Sequence, residues 1–183
     1  MEALRKLRSG DVLVSTPTGT GKTWIAIEAI KYCLSKGKRS WYTAPLKALS
    51  NSKYEEFRQL FGEDAVGIVT GDRKENPDAP IVVGTTEILR NQLYDAMYFG
   101  KDIEVDFVVL DEAHYLSDVE RGVVWEEILI YLPHRVKVLL LSATFQNARE
   151  IAQWLTEMRD VPCQVVTTAH RPVPLVPLFL FPD

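Results

Sequence analysis

The run Val12-Leu13-Val14-Ser15-Thr16-Pro17-Thr18-Gly19-Thr20-Gly21-Lys22-Thr23 sets a β-rich segment, a glycine-containing turn and the start of a helical pattern in immediate succession. That order is what a phosphate-binding loop needs. Glycines let backbone N–H groups turn toward phosphate oxygens, and a helix N-terminus adds its partial positive charge. Lys22 then reaches the β and γ phosphates, and the Thr23 hydroxyl becomes a ligand for Mg²⁺. The predicted nucleotide site is Thr16, Pro17, Thr18, Gly19, Thr20, Gly21, Lys22 and Thr23. Thr16 departs from the pattern, which normally has Gly or Ala there, while Gly21-Lys22-Thr23 is intact.

Outward from this loop, short β-rich runs alternate with longer helix-period segments, the signature of a parallel sheet covered on both faces by helices. Strands are predicted at Asp11 to Ser15, Ser40 to Ala44, Val66 to Thr70, Ile81 to Gly84, Phe107 to Leu110, Val136 to Leu141 and Gln164 to Thr167. Runs as uniformly apolar as Phe107-Val108-Val109-Leu110 belong to strands buried on both sides. Helices are predicted at Lys22 to Ser35, Leu46 to Phe61, Glu87 to Tyr98, Glu120 to Tyr131 and Ala148 to Met158. In the second, Leu46, Leu49, Phe57 and Leu60 recur near a 3.6-residue period and predict one apolar stripe facing the sheet. Gly71 to Pro80, rich in Asp, Asn and Pro, reads as a surface loop.

At 183 residues the chain suits one domain, and its 46% apolar content supplies a sizeable core. The net charge of −4 argues at face value against a nucleic-acid binder. It is unevenly spread, since residues 1–60 carry 11 basic and 5 acidic side chains and residues 61–183 carry 10 and 20. Cys33 and Cys163 lack any CxxC or Cys/His spacing and read as buried small hydrophobes. The N-terminus has no apolar h-region, and no stretch of about 18 apolar residues occurs, so a soluble, cytoplasmic setting without membrane contact is expected.

A second acidic element, Val108-Val109-Leu110-Asp111-Glu112-Ala113-His114, ends an apolar strand, where open α/β sheets place ligand chemistry. Asp111 suits a Mg²⁺ shell, and Glu112 suits the base that deprotonates an attacking water. Glu112 and Lys22 are thus the candidate catalytic residues, and Thr23 and Asp111 the candidate metal ligands.

Taken with Thr43-Ala44-Pro45-Leu46-Lys47-Ala48-Leu49, Thr70-Gly71-Asp72, Gly84-Thr85-Thr86-Glu87-Ile88-Leu89 and Ser142-Ala143-Thr144, these motifs resemble the first RecA-like domain of a superfamily-two helicase. The likeness covers residues 11–174. Tyr115-Leu116-Ser117-Asp118, Glu120 to Glu127, Asn147-Ala148, Trp154 and His170 to Leu175 are similar to the superkiller-type DExH family of exosome-linked RNA helicases. The resemblance implies an α/β RecA-like P-loop NTPase fold using ATP and Mg²⁺, with the strand of Ser142 between the phosphate-loop strand and the Asp111 strand. It implies that His114, Ser142, Ala143 and Thr144 couple the γ-phosphate to a nucleic-acid groove. RNA is the expected partner, and DNA the alternative.

The same resemblance places nucleic-acid contacts at Pro45, Leu46, Lys47, Gly71, Asp72, Thr85 and Thr86, each at a strand-to-helix junction. Helix N-termini offer donors to backbone phosphates there, independently of base sequence. Thr85 or Thr86 is also the expected N-cap of the helix near Glu87. Ile88 stands where DEAD-box relatives carry arginine, and Arg90 is a substitute. Lys36 to Arg39 reads as a solvated turn, Trp125 and Trp154 as packing residues, and Arg121 and Glu126 as contacts for a second domain.

From Arg171 onward, Pro172, Pro174, Pro177 and Pro182 exclude a helix, so residues 171–183 read as an extended strap leaving an ATP-binding domain of residues 1–170. The expectation is a monomeric piece of a longer ATP-dependent RNA helicase whose second RecA-like domain supplies the rest of the groove. Alone, the piece is expected to bind ATP weakly and barely hydrolyse it. A DNA translocase of the same superfamily is one alternative. A nucleotide-binding switch is another, and it leaves residues 44–49 and 142–144 without a role.

Overall fold

Alternation of apolar runs with amphipathic segments builds a three-layer α/β structure. The computed structural model describes residues 2–118, 121–143, 145 and 147–168. In chain order the elements are α1 (Glu2–Lys6), β1 (Asp11–Ser15), α2 (Lys22–Ser35), β2 (Ser40–Ala44), α3 (Lys47–Phe61), β3 (Val66–Val69) and β4 (Lys74–Glu75). They continue with β5 (Ile81–Thr85), α4 (Thr86–Tyr98), β6 (Phe107–Leu110), α5 (Gly122–Tyr131), β7 (Lys137–Ser142), α6 (Ala148–Arg159) and β8 (Cys163–Thr167). Short 3₁₀ turns occupy Glu63–Ala65 and Ala113–Ser117. The strap expected from Arg171 lies outside the described residues.

The sheet order is β4-β3-β5-β2-β6-β7-β1-β8, parallel throughout except for the antiparallel β3–β4 pair. As expected, β7 lies between β1 and β6, pairing Leu13 with Leu140 on one side and Leu110 with Leu140 on the other. Successive strand residues point to opposite faces. Leu13, Val108, Leu110, Val138 and Leu140 therefore pack under α4, α5 and α6, while Val12, Val14, Val109, Leu139 and Leu141 pack under α1, α2 and α3. Each such side chain, fully buried, contributes about 1.5–3 kcal/mol.

Several expectations need correction. The buried face of α3 is Ser50, Tyr54 and Phe57, whereas Leu46, Leu49 and Leu60 are 48%, 40% and 51% exposed. Ser50 and Tyr54 are spaced by four residues and Tyr54 and Phe57 by three, so they share a face, and Leu49 is rotated from Ser50 by about 100°. Of the expected stripe only Phe57 is buried, because Ser50 and Tyr54, polar by type, hold the other inward positions. Gly71 to Pro80 contains β4, and Asn76 lies so close to β3 that a Cβ on Gly67 would meet its carbonyl oxygen at 1.9 Å. Only glycine admits that approach. Arg39 is not part of a solvated turn, because its guanidinium donates to the carbonyls of Ala79, Pro77 and Glu104 and its N–H donates to Asp106. Trp125 is core, but Trp154 is 38% exposed, and Cys33 and Cys163 are half-buried. Burial pushes the Cys163 thiol up to about 12.

One buried ion pair was not visible in the sequence. Arg159, at the end of α6, and Asp11, at the start of β1, are each 1% exposed, with Nε 2.9 Å from Oδ2. The same guanidinium donates to the carbonyls of Leu129, Leu132 and Val136, and Asp11 Oδ1 accepts the Val138 N–H at 2.9 Å. Asp11→Ala leaves a buried guanidinium without its counter-ion and should cost about 3–5 kcal/mol of stability, measured by denaturant unfolding.

Candidate active site and nucleic-acid face

Among the described residues, the phosphate loop, Asp111-Glu112, Ser142-Ala143 and the segments after β2, β3 and β5 gather along the carboxyl edge of the sheet, because parallel strands end on the same side. The loop from β1 to α2 is held by its own threonines. Thr16 Oγ1 lies 2.7 Å from Thr20 Oγ1, which also donates to the Pro17 carbonyl at 2.8 Å. The β-branched departure at Thr16 is thereby accommodated, its side chain buried and its hydroxyl partnered. Gly19 and Gly21 have φ of +83° and +82°, and nothing lies within 4 Å of where their Cβ atoms would stand. The loop is therefore a cradle open on its inner side. Lys22 Nζ donates to the Thr16 and Pro17 carbonyls at 3.0 and 3.1 Å, across the mouth of that cradle.

Asp111 and Glu112 follow β6 directly. The Asp111 N–H continues the ladder to the Thr43 carbonyl, and Asp111 Oδ1 accepts the Glu112 N–H at 2.9 Å. Glu112 has φ of 53° and ψ of 38°, a left-handed conformation that a non-glycine residue adopts at some energetic expense and that recurs at functional sites. His114 Nδ1 stands 3.2 Å from Glu112 Oε2 without the angle of a hydrogen bond, and its ring stacks on Tyr115, which stacks in turn on Trp125. A hydroxyl and a carboxylate form a hard-oxygen set of the kind Mg²⁺ takes beside substrate phosphates, so Thr23 and Asp111 suit that ion. Among the described residues there is no group of three or more His, Cys, Asp or Glu side chains that would hold a metal by itself.

Two neighbours of this pair escaped the sequence reading. The Tyr42 hydroxyl, on β2, donates to Asp111 Oδ2. Lys53, on α3, donates to Thr23 Oγ1 at 3.5 Å and to Glu56 at 2.7 Å. The available signal was a tyrosine inside a fully buried strand, whose hydroxyl needs a partner.

Ser142 and Ala143 join β7 to the loop. The Thr16 N–H donates to the Ser142 carbonyl at 3.3 Å, while Ser15 Oγ donates to the Ala143 carbonyl at 3.5 Å and accepts the Phe145 N–H at 2.8 Å. Thr144 lies outside the described residues.

The other half of the edge, at β3, β5 and β2, carries the residues expected to meet nucleic acid. Ala44 pairs with Thr85 across β2 and β5, so Pro45, Leu46 and Lys47 stand beside Thr85 and Thr86. Lys47 Nζ is 3.2 Å from Asp72 Oδ1, which also accepts from Thr70 Oγ1 at 2.9 Å. The Thr70 hydroxyl, and then Lys47, hold the Asp72 carboxyl below its ordinary range. Lys47 also lies 3.7 Å from the Cβ position of Gly71. Leu46, Lys47, Gly71 and Asp72 are exposed, whereas Thr85 and Thr86 are buried. Thr85 occupies the N-cap position of α4 without a side-chain capping bond, and the Thr86 hydroxyl has no partner. Arg90 is paired with Glu127 at 3.5 Å.

Residues 1–151 match the model of the DEAD/DEAH box helicase family. The chain belongs to that family. It is 51% identical over 92% of its length to the DExH-box ATP-dependent RNA helicase DExH15 of Arabidopsis thaliana, 48% over 96% to the ATP-dependent RNA helicase mtr4 of Schizosaccharomyces pombe, and 45% over 95% to the antiviral helicase SKI2 of Saccharomyces cerevisiae. It spans 13–15% of the length of those three relatives. The Hef helicase domain of Pyrococcus furiosus superposes with a TM-score of 0.67 at 23% identity, covering 91% of this chain and 37% of its own, which supports the RecA-like fold. Among the described residues, no helix is long and apolar enough to cross a membrane.

Lys22→Ala in this helicase-family chain should leave the fold intact and remove ATP binding, with affinity falling at least tenfold by isothermal titration.

Proposed function

We propose that this chain is the ATP-binding and RNA-engaging domain of an ATP-dependent RNA helicase. The observation that carries the reading is the division of one sheet edge. The phosphate loop, Asp111 and Glu112 occupy the ends of β1 and β6, the Lys47–Asp72 pair and the α3 and α4 N-termini occupy the ends of β2, β3 and β5, and Ser142 and Ala143 touch the phosphate loop from β7. The RNA helicases at 45–51% identity favour RNA over DNA as the polymer.

In this reading ATP with Mg²⁺ supplies the phosphoryl group that is transferred to water. Lys22 exchanges the Thr16 and Pro17 carbonyls for phosphate oxygens, and the loop N–H groups and the α2 N-terminus neutralise phosphate charge. Thr23 and Asp111 hold the metal. Glu112 takes the proton of the attacking water, in line with its position one residue beyond the metal ligand. His114, Ser142, Ala143 and Thr144 relay occupancy of this site toward the groove. RNA meets Pro45 by contact alone, since proline has no N–H, and RNA phosphates meet Leu46, Lys47, Gly71, Asp72, Thr85 and Thr86 largely through backbone donors, so a net charge of −4 is compatible with binding. A second RecA-like domain elsewhere in the protein completes the site. The protein works inside the cell, and this domain is monomeric.

The test is the ATPase activity of the whole protein with RNA, with DNA and with neither. Stimulation by RNA is expected. Stimulation by DNA alone identifies a DNA translocase, and no stimulation identifies a nucleotide switch, either of which overturns the proposal. Glu112→Gln should retain ATP while turnover drops on the order of 10²–10⁴-fold, the contribution of a general base. Unchanged turnover removes Glu112 from the mechanism.

A further inference from the structure

Strand β2 enters the sheet between β5 and β6, and its central residue, Tyr42, faces the α2 and α3 side of the core with none of its surface exposed. A buried tyrosine keeps its ring in apolar company and needs a partner for its hydroxyl. Here the ring stands edge-on to Phe57 of α3, with centroids 5.2 Å apart and planes at 81°, and Phe57 meets Phe61 in the same manner at 5.6 Å. The hydroxyl reaches past the end of the neighbouring strand to Asp111 Oδ2, leaving Oδ1 to accept the Glu112 N–H. Both carboxylate oxygens are thus oriented from within the chain.

We propose that Tyr42 is a positioning residue for the metal site, fixing the rotamer of Asp111 by its bond to the second carboxylate oxygen. The inference rests on the reading of Asp111 as a Mg²⁺ ligand. Outer-shell partners of this kind orient the ligand they bond, and losing one lowers metal affinity by roughly 10–100-fold. The same helix that seats Tyr42 through Phe57 also brings Lys53 to within 3.5 Å of Thr23 Oγ1. Helix α3 therefore backs both halves of the ligand pair, and its first residue is Lys47 on the nucleic-acid face.

The experiment is Mn²⁺ binding by electron paramagnetic resonance in the presence of a non-hydrolysable ATP analogue, on the protein and on Tyr42→Phe, Asp111→Asn and Phe57→Leu. Nucleotide affinity without metal and thermal unfolding are measured in parallel. Tyr42→Phe removes one oxygen from a closely packed site and should weaken Mn²⁺ about tenfold, with metal-free nucleotide affinity unchanged. Phe57→Leu loosens the same packing and keeps the hydroxyl, so it should lower the melting temperature and leave Mn²⁺ affinity near the parent value. If Asp111→Asn weakens Mn²⁺ and Tyr42→Phe does not, the positioning role is overturned while the ligand assignment stands. If Asp111→Asn leaves Mn²⁺ unaffected, the ligand assignment fails and the inference falls with it. If Phe57→Leu weakens Mn²⁺ as much as Tyr42→Phe, packing and not the hydroxyl sets the site, which also overturns the proposal.

Discussion

The parallel pairing of β1, β7 and β6 is the constraint on which everything else depends. Its register sets Ser15 level with Ser142 and Leu110 level with Leu140, two residues short of that line, so Asp111 and Glu112 leave the sheet beside the exits of β1 and β7. The phosphate loop, residues 142 and 143, and the Asp111-Glu112 pair are those three exits. Each takes its height from the ladder, while local contacts such as that between Thr16 and Thr20 set its shape. A slip of one residue along β7 would turn Leu139 and Leu141 from one face of the sheet to the other, and both helical layers would lose their footing. Deep apolar alternation on both faces makes that slip prohibitive, which is why chemistry this exacting can be placed on loops.

Around that frame, two arginines, Arg159 buried in the core and Arg39 half-buried at its margin, act as fasteners. Arg159 satisfies three carbonyls and one carboxylate drawn from the end of α5, the approach to β7 and the start of β1. Arg39 does the same at the other side, collecting the carbonyls near Pro77, Ala79 and Glu104. A guanidinium suits both places because its donors fan out in one plane and it remains charged when buried. Both lie at the amino ends of strands, away from the edge that carries the site.

Much of this was legible in the amino-acid sequence, for reasons that differ by element. Strands buried on both sides announce themselves by unbroken apolar runs, and the phosphate loop by glycines whose positive φ has few other uses. Features made by contact between distant segments were hidden. Tyr42 and Asp111 are 69 residues apart and Asp11 and Arg159 are 148 apart, and no local pattern marks either pair. The face of α3 was misplaced because Ser50 and Tyr54 are polar by type yet buried by position. Lys36 to Arg39 looked like one basic turn, although its last residue points inward. The hairpin of β3 and β4 was concealed by Asn and Pro, which mark turns and say nothing of a strand two residues long.

The place of β1 in the sheet has a consequence for how the domain is made. Among the described strands it is the first in chain order, yet both of its neighbours, β7 and β8, follow β2 to β6. β2, β3, β5 and β6 complete their mutual pairing by residue 110, so one half of the sheet can assemble in the order of translation. The strand that carries the phosphate loop has no native partner until residues 137–142 have been added, and Asp11 has no counter-ion until residue 159. An apolar strand is therefore without its native sheet partners until that point. Unpaired apolar strands of this kind make partly folded chains prone to aggregation.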